Sequence, residues 1–158
     1  MAGPDVEASR TAFADTFVQR PEFVQRYQDV NSGAVFVDRL LQTVLQDAEL
    51  DLSSQRDALI QKYNAEADMN QSRRAVLMAV AEASEYKTAV YNSSFVLMEY
   101  FGFLQRGPDA EGYAFWVDVL THRDPGNYRG MVCSFLTSAE YQRRFSPIVT
   151  NSNVECGQ

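Results

Sequence analysis

Histidine occurs once in these 158 residues, at His122, and cysteine twice, at Cys133 and Cys156. A zinc site built from His and Cys needs several such ligands close together, which His122 and two distant cysteines are not expected to supply. His122 ends a helical segment, and a favourable interaction with the helix C-terminal dipole is expected there. The two cysteines are too few for a disulfide scaffold and lack C-x-x-C spacing. Bonded to each other, they would tie a polar tail, 147-158, to the segment MVCSF. That closure would contribute about 3 kcal/mol and imply an oxidising compartment. Unbonded, they are one buried thiol and one tail thiol.

Basic residues are also scarce: 14 Lys and Arg against 21 Asp and Glu leave a net charge of −7. Sequence-independent nucleic-acid binding draws its free energy from Lys and Arg neutralising phosphates, so that function is excluded. No apolar run reaches the roughly 20 residues of a membrane span. The densest stretch, SFVLMEYFGFL, is interrupted by Glu99 and Gly102 and reads as a buried helix. The start, MAGPDVEASR, lacks a charged segment followed by an apolar one, so no export signal is expected within these residues. No G-x-S-x-G, P-loop or G-x-G-x-x-G is present, and the glycines 107 and 112 are not followed by the Lys-Ser/Thr that would hold phosphate and magnesium. Asp109 and Glu111 lie near one helix start, where they stabilise its positive end. Acid–base work needs two carboxylates in different environments around a cleft. DAELD and PDAEG lack the alternating ligands and central glycine of a calcium loop. No catalytic residue, metal or cofactor is expected, and the chain is not read as an enzyme.

What is present is helical periodicity. With 46% apolar and 22% charged residues, the chain can bury a sizeable core. Phe36, Val37, Leu40, Leu41, Val44 and Leu45 recur at three- and four-residue spacing; so do Leu77, Val80 and Ala81, and Tyr113, Trp116 and Leu120. Ser53, Asp109 and Asp124 stand at helix-start positions, and Thr137 with Glu140 has capping-box spacing. Nothing alternates with period two long enough to demand a strand. The expected fold is all-α, a compact bundle of about seven or eight short helices.

The chain also repeats itself. AFADTFVQRPEFVQRY, LMAVAEASEYKTAVY and VCSFLTSAEYQRRF superpose on Glu22, Glu85 and Glu140, each followed by an aromatic residue. Upstream, VFVDRLLQTVLQD aligns with SFVLMEYFGFLQR through Phe36 with Phe95, Val37 with Val96, and Leu45 with Leu104. The expected organisation is therefore 1-30 as the tail of a preceding unit, 33-91 as a diverged unit, 94-146 as a second unit, and 147-158 as the tail.

LQRGPDAEGYAFWVDVL followed by YRGMVCSFLTSAEYQRRF resembles the bacterial domain of unknown function four-two-one-four, carried by Arg106, Pro108, Asp109, Gly112, Phe115 and Trp116, then Ser138, Glu140 and Tyr141. The unit at 33-91 keeps neither the Arg-x-Pro-Asp turn, the glycine nor the tryptophan. The resemblance implies tandem all-helical modules in secreted or cell-surface bacterial proteins, with no established activity. The chain is also distantly similar to the phycobilisome rod linker domain, whose binding of acidic antenna proteins an acidic chain fits poorly.

Arg106, Asp109, Gly112, Trp116, Glu140 and Tyr141 are read as structural. A half-buried guanidinium needs a carboxylate of matching geometry, so Arg106 is paired with Glu140; the alternative is a solvated arginine. Tyr113 and Trp116 share a core stripe, whereas Phe115 lies off it and is the candidate partner contact. The expected function is a non-enzymatic interaction or assembly module at the cell surface or outside the cell. Its expected partners are protein: neighbouring domains, self or an envelope component. The alternative is glycan binding on exposed aromatics. Neither nucleic acid nor membrane insertion is expected.

Overall fold

At ~100° per residue, Phe36, Val37, Leu40, Leu41 and Val44 fall within an arc of about 140°. In the computed structural model, which describes residues 4–145 and Cys156, these five are buried in one helix, Gly33–Ala48. Ser32 caps it, its hydroxyl accepting from the Val35 N–H at 3.3 Å. Leu45 lies beyond that arc and is 49% exposed, which corrects its assignment to the core.

Ten α-helices are formed among the described residues, with no strand. They are α1 (Pro4–Phe17), α2 (Pro21–Arg26), α3 (Gly33–Ala48), α4 (Arg56–Asn64), α5 (Met69–Glu82), α6 (Ser84–Ala89), α7 (Tyr91–Glu99), α8 (Ala110–Asp118), α9 (Tyr128–Thr137) and α10 (Ala139–Phe145). The all-α class holds, but seven or eight helices was too few. The difference lies in α2, α6 and α10, of six or seven residues each, which are separate from the helices before them.

Those three breaks are built alike. Arg20, Ala83 and Ser138 each leave the helical region for extended backbone, with ψ of 142°, 131° and 145°. Each of their N–H groups closes the preceding helix by a bond three residues back, to Phe17, Val80 and Phe135, at 3.1 Å in all three cases. Each of their carbonyls then opens the next helix, accepting from Val24, Lys87 and Gln142 at 2.9 to 3.0 Å. Glu22, Glu85 and Glu140 stand two residues after each break. The sequence repeat is thus also a repeat of backbone conformation.

Three helix starts differ from their sequence signals. Ser53 opens a single 3-10 turn, its N–H donating to Asp51 Oδ1 at 2.8 Å, and α4 begins only at Arg56. Pro125 does not open a helix: Gly126 takes a φ of 77°, and α9 begins after Asn127, whose side chain accepts from Gly130. For α10 the cap is Ser138, whose hydroxyl accepts from Tyr141 N–H at 3.1 Å. Thr137 instead donates to the Cys133 carbonyl, and the Glu140 carboxylate is engaged elsewhere.

The chain divides into two compact units, Met1–Ala89 and Val90–Gln158. In the first, α1 and α2 share one core with α3, α4 and α5, centred on Phe36, Val37, Val18 and Val76. The helices of residues 1-30 thus pack with those of 33-91. Arg39 and Arg73 donate to the carbonyls of Arg26 and Tyr27 at the end of α2, at 2.9 and 3.0 Å, positive groups at the negative end of a helix. The second unit is centred on Val96, Leu120 and Met131. There α7 and α8 each widen into a π-type turn, Tyr100–Leu104 and Val119–Arg123. A π-type turn acts as a one-residue insertion and sets the face back by ~100°. Leu104, aligned with the exposed Leu45, is consequently turned inward and only 5% exposed.

Candidate functional site

The corner between α7 and α8 holds most of the residues singled out by motif. The π-type turn ends at Gln105, in the left-handed region with φ of 50°, and the chain then turns through Arg106 to Asp109. Asp109 caps α8, its carboxylate accepting from Gly112 N–H at 2.8 Å. That bond lowers its pKa, with Arg106 adding to the effect.

The structure brings Arg106 and Glu140 together as a two-pronged pair, Nε to Oε1 at 2.7 Å and Nη2 to Oε2 at 2.9 Å. The guanidinium also donates to the Gly107 carbonyl at 2.9 Å and lies 5.2 Å from the centroid of the Tyr100 ring. Nearby, Arg144 of α10 donates to the Leu104 carbonyl. Two arginines thus fasten α10 to the corner. The first unit has a two-pronged pair of its own in a different place: Arg56, at the start of α4, holds Asp38 of α3 by Nε to Oδ1 at 2.5 Å and Nη2 to Oδ2 at 2.9 Å.

The hydrogen bond from Arg106, reinforced by its charge, depresses the Glu140 pKa. A carboxyl held lower in the folded than in the unfolded chain contributes stability above its unfolded value, ordinarily about 4.3 for Glu. That stability is lost as pH falls through the lower folded value. Both side chains are about one-third exposed, so solvent screening limits the pair to about 1 kcal/mol. In urea titrations followed by Trp116 fluorescence, Arg106→Leu should therefore cost about 1 kcal/mol at neutral pH and progressively less in acid. A deficit of constant size across that range would remove Glu140 as the titrating partner.

Gly112 is required by close approach. A Cβ there would sit inside van der Waals distance of the Tyr100 hydroxyl and 3.1 to 3.2 Å from the Asp109 carboxylate oxygens. Tyr100 cannot retreat readily: its ring is 4% exposed and packs edge-on against Phe135 at 5.0 Å. Gly112→Ala should lower stability by about 1–3 kcal/mol, read as a shifted thermal midpoint. An unchanged midpoint would show that the corner yields.

Trp116 is half-buried and packs against Phe135 at 5.7 Å. Tyr113 is half-buried too, its hydroxyl donating to the Ser93 carbonyl at 3.3 Å. Tyr141 packs on Phe103 and Phe145. Phe115 is 47% exposed, with the Arg123 guanidinium 5.4 Å from its centroid. His122 sits in the π-type turn after α8 and meets a side chain of its own helix, Nδ1 lying 3.0 Å from Asp118 Oδ1. His122 and Arg123 together lower the Asp118 pKa. Cys133 and Cys156 are joined as a disulfide, their Cα atoms 5.4 Å apart. The remainder of the expected tail, 147-158, lies outside the described residues.

Sequence reasoning missed Asn92. Its amide donates to the Leu120 carbonyl at 3.2 Å and to Thr121 Oγ1 at 3.1 Å, and its oxygen accepts from the Tyr128 hydroxyl at 2.8 Å. One side chain on α7 thereby secures the second π-type turn and α9. Nothing in its sequence neighbourhood signals this.

Chemically the corner is closed. Glu140 and Asp109 are held charged by arginine and by a backbone N–H. Among the described residues no three His, Cys, Asp or Glu side chains converge as metal ligands. Glu99 is the carboxyl whose pKa burial raises, and its Oε2 has no hydrogen-bond partner. An apolar groove of about 500 Å³ runs between α1 and α5 beside Phe13, Leu77 and Met78, and its Glu82 is paired with Arg10 and Lys87.

Residues 77–145 match the domain of unknown function DUF4214. The DUF4214 segment begins within α5, takes in the breaks at Ala83 and Ser138, and ends with α10. It contains the whole Arg106–Glu140 corner. No curated protein and no solved structure matches the chain.

Proposed function

We propose that the chain is a non-enzymatic helical interaction module of a secreted or cell-surface bacterial protein, acting on a protein partner: a neighbouring domain, an envelope component or itself. The observation that carries this reading is the inward pairing of the DUF4214 motif. Arg106, Glu140, Asp109 and Gly112 engage one another, so the carboxylates of Asp109 and Glu140 go into building the corner. The resemblance to DUF4214 supports the surface setting. So does the disulfide, a bond that persists in oxidising compartments. A second reading, glycan binding, rests on Phe115, the outward ring of the Tyr113, Phe115 and Trp116 group.

Saturable binding of the purified chain to bacterial envelope preparations tests both. Binding abolished by protease treatment of the envelopes and spared by periodate is the result expected of a protein partner. The reverse pattern, lost again in Phe115→Ala, would favour the glycan. Absence of saturable binding, with no self-association, would reject the interaction module.

A further inference from the structure

The outer face of α7 differs from the equivalent face of α3 in one respect. Tyr91, Leu97, Met98 and Phe101 are 55%, 40%, 68% and 53% exposed, and the small residues Ser94 and Gly102 are exposed between them. No charged side chain interrupts this face, in a chain of which 22% is charged. Glu99, the one charged residue of α7, is half-buried off it. At the aligned positions α3 carries Asp38, Arg39 and Gln42 in place of Leu97, Met98 and Phe101. There Asp38 holds Arg56, and Arg39 holds the end of α2. The chain thus contains its own control: a helix in the same place in the repeat folds with polar residues on this face. The apolar residues of α7 are not something the helical unit requires.

We infer that this face pairs with the same face of a second copy of the chain, α7 against α7, about a two-fold axis. The inference rests on the interaction-module reading and names its partner. A lipid surface fits poorly, because helices that lie on membranes carry Lys and Arg on the polar face, and α7 with its π-type turn has neither. A second copy fits on charge, since each copy has a net charge of −7 and copies repel least where an uncharged patch meets its equal. It also fits on shape. A Cβ added at Gly102 would meet nothing within 4 Å, and small residues let helix axes approach to about 8 Å. The four large side chains offer about 100 Å² each, or about 400 Å² per copy. A two-fold pair would bury about 800 Å² in all, below the range of stable specific interfaces and within that of weak, transient ones. The dimer is accordingly weak, dissociating in the micromolar range or above, and its self-complementary geometry closes at two.

Sedimentation equilibrium of the full, disulfide-bonded chain from about 5 to about 500 µM tests this over the range where so small an interface acts. A monomer–dimer equilibrium is expected, strengthened by salt because salt screens the repulsion between like-charged copies. The variant Leu97→Asp, Met98→Arg, Phe101→Gln carries the residues of α3. It should keep its helicity and weaken the dimer at least tenfold. Met98→Glu alone, at the most exposed position, should act in the same direction and serves if the triple variant does not fold. A monomer throughout the range, assembly beyond two, or variants that dimerise like the parent would each overturn the pairing. A wild-type monomer that still binds envelopes saturably would overturn the pairing alone and leave the module reading standing.

Discussion

Phe36→Ala should lower stability by about 3–5 kcal/mol, the range for deleting a buried aromatic side chain. A domain's whole stability is about 5–15 kcal/mol, so the first unit should be close to unfolding. Three features put the cost toward the upper end. Phe36 is fully buried. Its ring is the meeting point of Tyr27, Tyr63 and Phe23, at centroid distances of 4.9, 5.5 and 6.3 Å. It also faces the guanidinium of Arg73 at 5.7 Å. Arg73 is 4% exposed, and its Nε has no hydrogen-bond partner. A charge in that position is stabilised by the ring face and by the Tyr27 carbonyl it binds. Removing the ring therefore leaves a cavity and also a less compensated buried charge. Urea unfolding followed by circular dichroism measures the loss. Phe36→Leu, which refills part of the space without restoring a ring face, should fall between the parent and the alanine variant. A shift below about 1 kcal/mol for Phe36→Ala would mean that α1 and α2 do not depend on this contact.

What could be read in advance divides by the range of the interaction involved. The helices and the stripe from Phe36 to Val44 follow from local periodicity, whereas the three breaks at Arg20, Ala83 and Ser138 recur with the sequence repeat but leave no mark in its periodicity, which is why the expected helix count fell short. Arg106 and Glu140 could be matched because the corner's motif marks both residues. Arg56 and Asp38, the two-pronged pair that ties α4 to α3 in the first unit, carry no such mark. Leu45 and Leu104 occupy the same place in the alignment and differ in burial because a 3.6-residue pattern contains no information about a π-type turn. Helix starts moved where several short polar side chains in succession compete for the same N–H groups. At 124–128 Asn127 takes the cap and Asp124 accepts from the Asn127 side chain. Asn92 was invisible for a different reason. Its partners at 120, 121 and 128 come within reach only when α7, α8 and α9 have already packed.

Breaking the bond between Cys133 and Cys156 should cost about 3 kcal/mol, with little change in the native helices. The sequence separation is 23 residues, and closing a loop of that size removes about that much free energy from the unfolded chain in the loop-entropy model. The native state has separate support at the Cys133 end. Met131 and Phe135, two residues to either side on α9, are 0% and 4% exposed and hold that helix in the second core. Reduction should therefore leave the far-ultraviolet spectrum nearly unchanged while the urea midpoint falls. The slope of the transition should rise slightly, because the unfolded chain without the link exposes more surface. The double variant Cys133→Ser, Cys156→Ser should behave like the reduced protein. A large loss of helicity on reduction would instead place the bond's contribution in native packing. Chain isolated without reductant should show no titratable thiol when denatured. Two free thiols in that sample would remove the bond, and with it the structural support for a surface or extracellular setting.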